Sequence, residues 1–239
     1  MRNRANWAVM VALMLGAFTS VIAGDDPDRE NFARGCQAYE RGDYRFAIEE
    51  YKQCLAVFGP HYAESQYNIG VCYYELGEFP EAVKWFRAAV KARRSRYPAA
   101  QFALGVVLEE LGKFEEAKRS FVDAIESSQG RHSGALFRMG LALQRDGDYA
   151  GAIEHYRRAL AHKQGAFPAC HNNLGVIMAL QGRLSDAERE FDQAVKQSKG
   201  RFADATHNLE LCRYLSVSKT RNLVANLLIS RGRLEDHNE

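Results

Sequence analysis

Five cysteines and seven histidines give this 239-residue sequence its widest chemical range, and their spacing withholds most of it. Cys36, Cys54, Cys72, Cys170 and Cys212 include no Cys-x-x-Cys pair or comparable ligand spacing. An odd number leaves at least one thiol unpaired. Bridges among Cys36, Cys54 and Cys72, or between Cys170 and Cys212, stay open, because bridging needs Cα separations below about 7 Å; the alternative is that all five are small buried packing residues. The histidines form no His-Glu-x-x-His helix, and no nucleophile elbow or phosphate-cradling glycine loop accompanies them. Catalysis would need residues such as His171 and His207 to converge unaided. The sequence therefore predicts no enzyme, no cofactor and no metal site.

What recurs is glycine. Gly35, Gly70, Gly105, Gly140 and Gly175 are separated by 35 residues each time, and Gly42, Gly77, Gly112, Gly147 and Gly182 come seven residues behind them. Three more columns keep the register: Ala47, Ala82, Ala117, Ala152 and Ala187; Tyr51, Phe86, Phe121, Tyr156 and Phe191; and Cys54, Ala89, Ala124, Ala159 and Ala194. Offsets of four and then three residues put these side chains on one face of a helix. The second glycine, among polar neighbours such as Arg145-Asp146-Gly147-Asp148, marks the turn before that helix. Each unit is a helical hairpin that cannot bury itself alone, so the hairpins must stack and the last needs a cap.

These columns resemble the tetratricopeptide repeat family, with its Leu-Gly, Gly, Ala, aromatic, Ala pattern seen here as Ile69-Gly70, Gly77, Ala82, Phe86 and Ala89. The resemblance covers residues 28–202 as five units and implies an all-α fold, a right-handed superhelical solenoid of antiparallel helix pairs. An aromatic column at Tyr62, Tyr97, His132, Phe167 and Phe202 departs from the family pattern, in a unit one residue longer than the commonest form, and is read as a staple into the next helix. Residues 203–231 are expected to form the cap, with Ala205 to Leu215 as one helix and Leu223, Val224, Leu227 and Leu228 on a second; residues 232–239 are a polar, frayed tail.

The resemblance also assigns a site. In the family the first helix of each hairpin lines a groove that holds a partner segment. Here that helix is apolar on two faces, and the line opposite Ile69 and Tyr73 holds Phe32 and Tyr39 in the first unit, then Tyr67, Val71 and Tyr74. It continues through Phe102 and Val106, Phe137 and Leu141, Asn172, and His207. Exposed, these rings would form an apolar interaction patch; the alternative is that they pack on one another. One step away, Asn68, Asn173 and Asn208 resemble the asparagine ladder by which some members bond a peptide backbone, broken here at Ala103 and Arg138. Surface decoration is the alternative for such asparagines. The lysines and arginines of the family's carboxylate clamp are missing.

Arg2 and Arg4 precede an apolar run from Trp7 to Ile22, and Val21 and Ala23 suit a signal peptidase. Residues 1–23 are read as a secretory signal, with an uncleaved membrane anchor as the alternative; both place the remainder outside the cytoplasm, periplasmic or extracellular. Removing them leaves 30 basic and 30 acidic residues, so nucleic acid is not an expected partner. The cluster of Lys91, Arg93, Arg94 and Arg96 reads as a solvated turn. The expected role is that of an adaptor holding a protein or peptide segment, in envelope assembly or secretion. Two alternatives remain: a scaffold assembling from copies of itself through the cap, and a glycan or peptidoglycan binder using rings such as Tyr67 and Phe102.

Overall fold

The computed structural model describes residues 27–56, 61–163, 165–218 and 227–229. Among the described residues there are eleven α-helices and no strand. The signal or anchor at residues 1–23, most of the expected second cap helix and the tail at 232–239 lie outside them. Among the described residues no helix is long and apolar enough to cross a membrane.

The chain divides into two compact units between Gly130 and Arg131. The first holds three hairpins: α1 (Pro27–Glu40) with α2 (Tyr44–Cys54), α3 (Tyr62–Glu75) with α4 (Phe79–Ala92), and α5 (Pro98–Glu110) with α6 (Phe114–Ser127). Successive hairpins meet through α2 against α3 and α4 against α5. The second unit holds α7 (Ser133–Arg145) with α8 (Tyr149–His162), α9 (Pro168–Leu180) with α10 (Leu184–Gln197), and α11 (Ala203–Ser218), which packs on both α9 and α10.

The two glycine columns do different jobs, and each can be stated at one residue. Gly112 closes the α5–α6 turn at φ 72°, a conformation that disfavours a Cβ. Its N–H donates to the Glu109 carbonyl at 3.0 Å and the N–H of Lys113 to that of Leu108 at 2.8 Å, which satisfies two carbonyls that the helix end would otherwise leave open. Gly105 lies inside α5 with ordinary helical geometry, yet a Cβ there would stand 2.4 Å from Cε1 of Phe121. The ring of the second helix rests directly on the backbone of the first. The same overlap recurs at Gly35 with Tyr51, Gly70 with Phe86, Gly140 with Tyr156 and Gly175 with Phe191, so the glycine and aromatic columns are two halves of one contact.

The five free cysteines are all buried. The bridges left open by the spacing are not formed, and burial raises every thiol, Cys54 to about 11. These are inert packing groups.

Candidate site on α9 and α11

In the first unit the sequence-predicted line is filled by rings that pack inward. Tyr67 of α3 is buried with its centroid 5.6 Å from both Phe86 and Tyr97. Phe102 lies 5.9 Å from Phe121, Tyr39 lies 5.4 Å from Tyr44, and Val71 and Val106 are buried beside them. Phe32 is half-buried, stacked 4.5 Å from His61, and Tyr74 is half-buried 5.7 Å from Phe79. Asn68 is also buried. In the second unit Phe137 is fully buried between Tyr156 and Phe167, and Leu141 is half-buried.

Exposed aromatic patches are therefore not what this line supplies; packing is. The reason is the junction column. Tyr97 and Phe167 are the residues that cap α5 and α9, and each ring turns back onto the first helix of the preceding hairpin, covering Tyr67 and Phe137 respectively. The third junction residue, His132, uses its ring differently: Nδ1 accepts from the N–H of Ala135 at 3.2 Å and caps α7. Burial holds this imidazole down, to about 4, so it stays neutral and keeps its acceptor.

The line changes character at α9, where Asn172 stands in the position of the rings. Asn172, Asn173 and Asn208 are fully buried, and a polar side chain taken from water needs partners there. The structure supplies them from Leu228. Asn208 receives the N–H of Leu228 on Oδ1 at 2.8 Å and donates from Nδ2 to the carbonyl of the same residue at 2.8 Å. Asn172 donates to that carbonyl at 2.9 Å and accepts a second bond from Asn208 at 2.8 Å. The backbone fixes which end of each amide is oxygen, since only Oδ1 can accept an N–H.

The network runs on into the unit. Asn172 Nδ2 lies 3.2 Å from Asn173 Oδ1, Asn173 Nδ2 lies 3.5 Å from the Tyr156 hydroxyl, and that hydroxyl donates to Gln144 Oε1 at 2.8 Å. Donors and acceptors alternate without conflict from the Leu228 carbonyl to Gln144. Beside it, the Leu227 side chain enters an apolar cluster with Val176, Ala179, Phe191, Leu209 and Cys212. Leu228 and Ile229 are 43% and 50% exposed.

Residues 227–229 are not helical, which corrects the second cap helix at its described end. The bonds that a helix would make within itself go to asparagine side chains instead. His207 is exposed next to Asn208, while His171 is held by Glu190 at 2.8 Å and Gln197 at 3.0 Å, bracing α9 on α10. Sequence reasoning missed Tyr156 and Gln144 as supports of the amides and Leu227 as their neighbour. The break in the ring column at Asn172 was the available signal. Among the described residues no group of three or more His, Cys, Asp or Glu is placed to hold a metal ion.

A family model described as Tetratricopeptide repeat matches residues 32–98, 86–132, 102–168 and 137–202, well over half of the chain. The chain belongs to the tetratricopeptide repeat family. No curated protein matches it. Among solved structures it is similar to PilF of Pseudomonas aeruginosa, with TM-score 0.68 and 18% identity over 85% of this chain and 89% of that one. It is also similar to MamA from Desulfovibrio magneticus RS-1, with TM-score 0.60 and 19% identity over 75% and 99%. A third similar structure is TTC0263, a thermophilic tetratricopeptide repeat protein of Thermus thermophilus, with TM-score 0.55 and 22% identity over 79% and 100%. At these identities the likeness concerns the fold. Tetratricopeptide repeats are in general non-catalytic protein-interaction scaffolds, the class of role that the family supports for this chain.

Proposed function

We propose that this protein is an exported adaptor that holds an extended segment of a partner protein against α9 and α11, in envelope assembly or secretion. The observation that carries the reading is the Asn208 amide, which pairs with both the N–H and the C=O of one residue in a non-helical segment. An amide placed this way reads a peptide backbone whatever the side chain, the recognition mode by which extended peptides are held. The apolar run before Ala23 and the balanced charge beyond it support export and a protein partner.

The glycan reading required exposed rings at Tyr67 and Phe102; both are buried, so it loses its support. A photoreactive residue at the exposed His207 tests the adaptor. Crosslinking in the native cell envelope should capture one partner through a segment free of helix. Capture of this chain alone would replace the adaptor with the self-assembling scaffold. Export is checked separately by sequencing the mature N-terminus, expected at Gly24.

A further inference from the structure

The asparagine site is already filled, and its occupant belongs to the same chain. We propose that residues 227–229 are a resident ligand of the α9–α11 site, and that an extended partner segment with a leucine at the Leu227 position binds by displacing them. The proposal rests on the adaptor reading and specifies how the site is regulated and what it accepts.

Three observations carry it. The hydrogen bonds that Asn172 and Asn208 make to residues 227–229 go to the backbone of Leu228, so they are not particular to this piece of chain. One side chain, Leu227, is buried against α9, α10 and α11, while the next two point outward, as expected of a peptide with a single anchor. Finally, Asn172 and Asn208 are fully buried with the segment in place and bond its peptide groups, so a replacement that offers the same N–H and C=O keeps both amides satisfied.

The tether gives the resident segment its advantage. Leu227 lies nine positions beyond Ser218, the end of α11, so the segment competes from within the same molecule while a free peptide must come from solution. Occupancy in cis would weaken a competing peptide on the order of a hundredfold.

The experiment uses the full chain and a fluorescein-labelled synthetic peptide, Val-Ala-Asn-Leu-Leu-Ile-Ser-Arg, which repeats residues 224–231. Anisotropy titrations compare the natural chain with Leu228→Pro, which removes the N–H that Asn208 accepts. The variant should bind the peptide on the order of a hundredfold more tightly. Adding Asn208→Leu should abolish that binding, and a peptide with proline in place of its second leucine should fail on either chain; this ligand-side control leaves the protein unaltered. Circular dichroism confirms that each variant keeps its helices. Equal affinity for natural chain and variant would overturn the resident ligand and leave the adaptor standing. No binding to a folded variant would sink the site as a peptide receptor, and the adaptor reading with it. A natural chain that elutes as a dimer, with the dimer lost in Leu228→Pro, would overturn occupancy in cis by placing the segment on a second copy.

Discussion

Tyr67 of α3 and Asn172 of α9 occupy the same place in the repeat, three units apart, and both are buried, yet they do opposite things. Tyr67 packs against Phe86 of its own hairpin and Tyr97 of the junction. Asn172 finds one of its partners outside the repeats, in the backbone of Leu228. A ring at this position makes a stack, and an amide bonds a neighbouring backbone. The repeat frame around them is unchanged, since Gly70 meets Phe86 as closely as Gly175 meets Phe191.

The largest effect should come from erasing the ring where it stacks. Phe137→Asn removes a fully buried ring from between Tyr156 and Phe167 and should cost about 3–5 kcal/mol in urea unfolding; a cost under about 1 kcal/mol would show that the column does not hold the stack. Asn208→Leu breaks the receptor side. Losing a buried amide that bonds both Leu228 groups should destabilise the second unit by about 1–3 kcal/mol, with faster hydrogen exchange at the Leu228 amide. Unchanged exchange there would detach the amide from the segment.

A smaller effect distinguishes the units by pH. His132 has a folded pKa of about 4 against an ordinary 6.5, so the unfolded chain takes up the proton first as pH falls. Stability should decline between about pH 6.5 and 4 and level off below, as the α7 cap is lost. His132→Asn should flatten that slope; a slope that survives assigns it elsewhere. The smallest change is a gain in the first unit. Ser95 sits at φ 61° in the repeat position that Gly130, Gly165 and Gly200 fill, so Ser95→Gly should stabilise by about 0.5–1 kcal/mol in thermal unfolding. A loss would mean that the serine has a role the backbone does not show.

The hairpins were legible in the sequence because each glycine answers one steric demand at a fixed offset: a positive φ at Gly112, a ring against the backbone at Gly105. The fate of the rings was not. Helical periodicity separates two apolar faces but cannot tell which one a neighbour covers, and Tyr97 and Phe167 decide that from thirty residues downstream. Of the asparagines, the sequence suggested their taste for backbone but not who would satisfy it. Leu227 and Leu228 share a helical spacing with Leu223 and Val224, but at the described residues 227–229 that pattern lost to bonds that Asn172 and Asn208 offer the Leu228 backbone.

Because the asparagines grip Leu228 by its main chain while its side chain faces water, the contact carries very little sequence information. It rejects proline, favours one leucine beforehand, and is silent about the residues after it. Positions 228 and 229 are thus free to drift in evolution without loosening the grip, and any protein held in the same way would share with this chain a register of peptide groups rather than a recognisable motif.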